Sequence, residues 1–306
     1  MQSRPKGDCP PVKLAENFWL LGNYYLSLYL VQGSHSSALI EMGVSAVTDT
    51  VINQLSSLNI SPTYLIVTHP HSDHLTGLVG LSKRFPSATP VFGHGAKDFL
   101  AHPKSLEIMV REDRFISRML AVRGERVDRP PINRFQFPNQ SLTVDEFMQI
   151  DLGGVALQCR LLPGHSPGNI LIHIPEKNAL IASDSLGFRM PGRFFVPCFF
   201  TGFADYMNTL NALAVLKPAI LGLGHQGPLF GEAVDHAFSS ARQAALDLYT
   251  QITENREDRQ AMADEIFRKF YIDEFTLYSE ENIRSCCQLL VRRALEYMAV
   301  GGQAIS

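Results

Sequence analysis

The sequence predicts an α/β body followed by a helical C-terminal appendage. Two observations carry this. Up to about residue 230, short β-rich runs alternate with stretches of helical spacing; beyond it, only helical stretches follow. A third observation sets the scale: 306 residues, 45% of them apolar, are enough chain for a sizeable core. The expected division is a body over residues 1–230 and a helical extension over 231–306 that packs on it.

The elements follow in order. "NFWLLG" (17–22), "LSLYLVQ" (26–32) and "SSALIEM" (36–42) read as strands, each bounded by Gly, Ser or Asn. Residues 45–58 read as a helix, because Val47, Val51, Ile52 and Leu55 share one face. "TYLIVT" (63–68) reads as a buried strand, with a helix near 75–85 after it. "TPVFGH" (89–94) is a further strand, and 96–122 is helical with a break near Pro103. Strands are expected near 142–150 and 154–162. "NILIHI" (169–174) and "NALIAS" (178–183) form a hairpin through "PEK". A helix at 203–216 leads to the strand "PAILGLG" (218–224), and helices follow near 232–253, 256–271 and 280–299. There is no internal repeat and no low-complexity linker.

Composition narrows the function classes. Charged residues are 19% and the net charge is -3, so nothing draws the chain as a whole to a polyanion. Nucleic acid is therefore not an expected partner. The N-terminal "MQSRPKGDCPPVKL" lacks an apolar h-region, and no apolar run is long enough to span a membrane. The five cysteines are odd in number and form no CxxC pair, which argues against a disulfide framework or a thiolate zinc site. A cytoplasmic protein with reduced thiols is the expectation.

The chemistry concentrates in "THPHSDHLTG" (68–77). His69 and His71 stand at i and i+2 at the end of a strand, so both imidazoles point the same way and can meet one ion. Asp73 and His74 fall on the turn that begins the next helix and can address a second ion close by. Further ligands come from other strand ends. "LLPGHSPGN" presents His165, "LIASDSLG" presents Asp184 and "LGLGHQGP" presents His225. Each follows an apolar β-rich run and stands beside small or turn residues. Imidazole with carboxylate suits zinc, iron or manganese.

On "HPHSDH", "GHSPG", "SDS" and "GHQG", in that order, the chain resembles the metallo-β-lactamase-fold hydrolase superfamily over roughly residues 15–230. The resemblance implies a four-layer αββα sandwich, two mixed β-sheets flanked by helices, with the metals in a cleft at one edge. It implies a first ion on His69, His71 and His165, a second on Asp73, His74 and His225, and Asp184 bridging both. The bridging aspartate points to the glyoxalase II-like thioesterases, lactonases, phosphodiesterases and RNases of the superfamily rather than to its zinc β-lactamases. Many members carry Asp-Thr-Gly where this chain has Glu41-Met42-Gly43, so the groups supporting the ligands are expected to differ here. The resemblance also implies the mechanism: two ions share a bridging water, and the hydroxide attacks an ester-like carbon or phosphorus. Asp73 is the expected catalytic residue, orienting that water and accepting its proton.

The remaining features are weaker. His35, His94, His102, His173 and His236 are isolated and read as structural. "SLGFRMPGRFFVPCFFTGF" after Asp184 reads as a loop over the cleft. Phe188 and Phe195 are candidates for an apolar substrate wall, the loop's other phenylalanines read as packing, and Arg193 is a candidate for a substrate anion. Residues 105–125 read as an amphipathic helix, a lid, a subunit contact or a flanking element. The helical excursion over 96–122 and the three-helix end are similar to the layout of thioesterase-like members, the quinolone-signal thioesterases among them. The leading expectation is a dinuclear hydrolase of a thioester, ester or lactone with a small, partly apolar substrate. The alternatives are a phosphodiesterase or RNase of the same fold, which would want a basic groove, and a regulatory or partner-binding metalloprotein. A homodimer is possible, built on the excursion or the tail.

Overall fold

The protein is described from a computed structural model over residues 9–302. The segment 1–8, part of the stretch read above as lacking an h-region, lies outside the described residues. The first sheet has the order β1 (Val12–Ala15), β2 (Phe18–Gly22), β3 (Ser27–Gln32), β4 (Ser37–Ile40), β5 (Tyr64–Ile66), β6 (Thr89–Gly93) and β7 (Leu142–Val144). Its first four strands are antiparallel neighbours, and β4 to β7 pair in parallel. The chain then enters a second sheet through β8 (Phe147–Asp151), β9 (Ala156–Leu161), β10 (Ile170–Ile174) and β11 (Ala179–Ile181). A separate hairpin follows, β12 (Phe188–Met190) and β13 (Phe194–Val196), before β14 (Ile220–Gly222) and β15 (Leu229–Phe230) complete the second sheet beside β11.

Strand alternation builds the layers. Tyr29, Val31, Ala38, Ile40 and Ile66 of the first sheet share one buried core with Leu157, Ile170, Ile172 and Ile181 of the second. Their neighbours Leu28, Leu30, Leu39 and Leu65, with Leu171 and Leu180, face the other way into an apolar core shared with the helices. Both faces of each sheet are covered, which is why these strands read as near-continuous apolar runs. The result is the αββα sandwich.

The helices are α1 (Thr48–Ser57), α2 (Ser72–Leu75), α3 (Leu78–Arg84), α4 (Ala96–Ala101), α5 (Pro103–Val122), α6 (Phe203–Ala214), α7 (Glu232–Glu254), α8 (Arg259–Phe270) and α9 (Glu280–Ala299). Pro103 opens α5, where its missing N–H costs nothing. Asp258 caps α8 by accepting from Ala261 N at 2.9 Å, and Ser279 caps α9 by accepting from Asn282 N at 3.2 Å. No helix among the described residues is long and apolar enough to cross a membrane. The C-terminal helices lie on the body: α7 packs against α6 and β13, and α9 against α6, α7 and α8.

Three local expectations change. The helix near 75–85 is two helices, because Gly77 N donates to Gly43 O (3.0 Å) rather than back along the helix, an approach that leaves no room for a Cβ against the Met42 carbonyl. The Phe-rich stretch is not a loop throughout: Phe188 pairs with Val196 and Met190 with Phe194 across a hairpin. The strand near 178–183 stops at Ile181, and Asp184 rides on a short 3-10 turn over Ser183–Leu186.

One buried carboxylate ties the site region to α5. Asp113 is fully buried and accepts from Ser45 N (2.9 Å), Ser45 Oγ (2.7 Å), Thr76 Oγ1 (2.6 Å) and Ile132 N (2.8 Å). These donors lie in the turn after β4, at the end of α2 and in the segment after α5. Asp113→Ala strands them away from water, and we expect a loss of about 3 kcal/mol in stability. The largely exposed Asp145→Ala should shift it by no more than about 0.5 kcal/mol. Urea midpoints of the two variants check the difference.

Candidate metal centre

All seven sequence-predicted ligand residues meet at one edge of the sandwich. His69 and His71 leave the end of β5, Asp73 and His74 lie in α2, His165 follows β9, Asp184 follows β11 and His225 follows β14. Their ligand atoms form three overlapping groups, each within 4.8 Å: His69, His71 and His165; His69, His74 and Asp184; and Asp73, His74 and His225. Asp184 thus stands with one histidine of each outer group. Its oxygens lie 3.4 Å from His74 Nε2 and 3.5 Å from His225 Nε2. Gly224 makes this approach possible: a Cβ there would sit 2.6 Å from His74 Cε1 and 2.7 Å from Asp184 Oδ1. Gly164, before His165, has φ +113 and leaves no room for a Cβ against the Tyr206 backbone.

Four of the five imidazoles are each held by one nitrogen. His165 Nδ1 donates to the Cys198 carbonyl (3.0 Å) and His225 Nδ1 to that of Tyr25 (2.8 Å). His74 Nδ1 donates to Glu41 Oε2 at 2.9 Å. Thr68 Oγ1 donates to Glu41 Oε1 (2.8 Å), so it can accept from His69 Nδ1 at 3.1 Å. Each contact aims an Nε2 into the cluster. The Nε2 atoms of His69 and His165 are buried and have no hydrogen-bond partner, while His74 Nε2 is buried with the Asp73 and Asp184 carboxylates 3.3 and 3.4 Å away. Buried polar atoms are normally satisfied, so two orphaned imidazole nitrogens beside a cluster of carboxylates is a donor set that fits metal ions.

The electrostatics agree. Burial, then mutual repulsion among the imidazoles, pushes His69 well below its usual range and His71 down to about 3. Burial also lowers His165. These rings are neutral, the state a ligand needs. His74 and His225 behave oppositely. Burial lowers both, but Glu41, Asp73 and Asp184 outweigh it at His74, and Asp184 does so at His225, so both are raised. Asp73 and Asp184 suffer burial that favours the neutral acid, yet His74 and His225 hold both ionised.

The departure at Glu41-Met42-Gly43 has a geometric consequence. Glu41 is buried at φ +71 and engages Thr68 with one oxygen and His74 with the other. One side chain thus anchors two ligand-bearing segments.

An apolar cavity of about 390 Å³ opens directly from the cluster. His71, Asp73, His165 and Asp184 form its floor, Phe188 and Phe200 part of its walls, and α9 contributes Ile283, Cys286 and Leu290. A larger groove of about 1120 Å³ over α3 and residues 129–142 contains none of the cluster. Phe195 sits opposite Arg189 across the hairpin, is buried in the core and does not line the cavity. Arg193 lies at the surface, 3.0 Å from Asp273. His94 pairs with exposed Asp145 and His173 with Gln158, both outside the cluster. Sequence reasoning passed over Phe200, read as packing, and Tyr278. The Tyr278 hydroxyl donates to Asp73 Oδ2 at 2.7 Å from 205 positions away, so no local pattern could reveal it.

Fold and site together define a metal-dependent hydrolase class. The chain belongs to the metallo-β-lactamase superfamily, whose sequence pattern matches residues 22–225. Its fold normally binds divalent metals, typically two. The chain is 25% identical over 152 residues to hydroxyacylglutathione hydrolase GloC of Haemophilus influenzae, a match covering 49% of this chain and 61% of that relative. Among solved structures it resembles a metallo-β-lactamase family protein of Thermus thermophilus (TM-score 0.62, 19% identity, 94% of this chain and 95% of that one). It also resembles the inverting sec-alkylsulfatase Pisa1 of Pseudomonas sp. (TM-score 0.60, 14% identity, 97% of this chain and 51% of that one). These structural likenesses speak to fold alone.

Glu41→Ala should free the His74 ring and lower affinity for a divalent ion roughly 10–100-fold. Competition with a chromophoric chelator reads this directly. Unchanged affinity would show that Glu41 does not set the orientation of His74.

Proposed function

We propose that the protein is a dinuclear-metal hydrolase that cleaves a thioester, ester or lactone of a small, partly apolar substrate, a thioester being the leading choice. His69, His71 and His165 would hold one ion, Asp73, His74 and His225 the other, with Asp184 between them. Two divalent ions there would supply a water of lowered pKa and polarise the substrate carbonyl. The chain's own residues do the rest. Asp73 orients the attacking water and accepts its proton. Phe188 and Phe200 exclude bulk water and seat the apolar part of the substrate. Glu41, Thr68 and the carbonyls of Tyr25 and Cys198 keep the imidazoles in the ligating tautomer.

The observation that carries this reading is the apolar cavity whose floor is the cluster. The relative's name supports the substrate class, since an acylglutathione is a thioester. Four arginines of the 111–129 stretch are already engaged within the chain: Arg111 with Glu281, Arg123 with Thr276, Arg126 with Asp128 and Arg129 with Asp49. That weighs against a free basic groove for nucleic acid.

The test loads the protein separately with zinc, manganese and iron, and measures initial rates on acyl thioesters of increasing chain length, a lactone and a bis-aryl phosphodiester. Elemental analysis should give two ions per chain. Thioester or lactone turnover should fall at least roughly 100-fold in Asp184→Asn, and Asp73→Ala should lose both metal and rate. Turnover of the phosphodiester alone, or full rate in either variant, would overturn the proposal.

A further inference from the structure

We infer that Tyr278 is a positioning residue through which the segment 273–283, a cap over the cavity, holds the Asp73, His74 and His225 group in its ligating geometry. The inference rests on the dinuclear reading above. Tyr278 lies between a 3-10 turn, Asp273–Leu277, and the start of α9. Its ring is buried beside Phe275, Phe188 and His225. Its hydroxyl donates to Asp73 Oδ2 at 2.7 Å and stands 3.4 Å from His225 Nε2. That Asp73 oxygen is the atom that approaches His74 Nε2 (3.3 Å) and His225 Nε2 (3.5 Å). The phenol therefore engages the one oxygen around which this group is arranged.

The backbone of the cap is anchored elsewhere. Ser279 donates through N (3.1 Å) and Oγ to the buried Glu112 carboxylate of α5. Arg123 donates to Asp273 O (3.0 Å) and Thr276 Oγ1 (2.6 Å), and Tyr24 to Glu274 (3.0 Å). So α5 fixes where Tyr278 starts and Asp73 fixes where it ends. The same segment roofs the cavity with Phe275 and Ile283, which makes the hydroxyl a direct link between the cavity roof and a ligand. A buried phenol donating to a carboxylate sets that carboxylate's rotation, as outer partners of metal ligands do.

The experiment compares the wild-type chain with Tyr278→Phe, which keeps the ring and removes the hydroxyl. A second variant, Tyr271→Phe, removes another cap hydrogen bond, from Tyr271 to the Tyr278 carbonyl (3.0 Å), without touching Asp73. Each protein is stripped, then titrated with zinc and with manganese against a chromophoric chelator. Hydrogen exchange is followed over residues 273–283 with and without metal. We expect Tyr278→Phe to weaken one of the two ion equivalents roughly 10–100-fold, to leave the other unchanged, and to exchange faster in the cap even with metal bound. Tyr271→Phe should loosen the cap with both affinities intact. Wild-type affinity for both equivalents in Tyr278→Phe would overturn the inference, as would equal loss in both variants. A wild-type chain that takes up no metal would instead overturn the dinuclear reading. The exchange comparison would then decide whether the hydroxyl holds the cap, and unchanged exchange in Tyr278→Phe would overturn the inference as well.

Discussion

Four buried imidazoles and two carboxylates share one edge of this sandwich, and the Glu41–His74 contact is the interaction on which their arrangement turns. Glu41 reaches β5's end through Thr68 and α2 through His74. Removing either partner would leave a buried carboxylate oxygen without its hydrogen bond, a costly defect in a core. The chain accepts a left-handed backbone at Glu41 to achieve this, at a residue type that seldom adopts it. Burial lowers both rings, but Glu41, with Asp73 and Asp184, outweighs it at His74, whereas at His69 the neighbouring imidazoles add to the lowering.

The rest of the fold serves to bring distant strand ends to this edge. Parallel pairing of β4, β5 and β6 in one sheet and of β11 and β14 in the other puts the exits of several strands side by side. The inter-sheet core locks those exits at fixed spacing, since packed β-branched side chains allow no sliding by one residue without exposing a whole face. Small residues do the fine adjustment. Gly224 and Gly164 let two ligand segments close on atoms that any side chain would push away.

The helical end is part of the site rather than an ornament on it. Helix α9 forms one wall of the apolar cavity, and residues before it reach the cluster. The amphipathic helix α5 turns out to seat this end through Glu112 and Arg123 while holding the body's site loops through Asp113. Burying two adjacent carboxylates on one helix is tolerable because each accepts several hydrogen bonds, one facing the body and the other the cap.

Much of this was legible in the chain alone. His69, His71, His165, Asp184 and His225 declared themselves because they follow apolar strands beside turn residues, and Asp73 and His74 because they crowd the turn just after, all of it local information. The break at Pro103 and the three terminal helices were local in the same sense. What only the tertiary structure decided depends on contacts between residues far apart in sequence. Tyr278 meets Asp73 because α5 positions the cap. Phe200 lines the cavity while Phe195 does not, because the hairpin's register sends the latter into the core. The helix after the histidine cluster divides at Gly77 because its N–H donates to the distant Gly43 carbonyl instead of continuing the helical ladder. Periodicity tells a residue which way to face, but only the packed fold supplies what it faces.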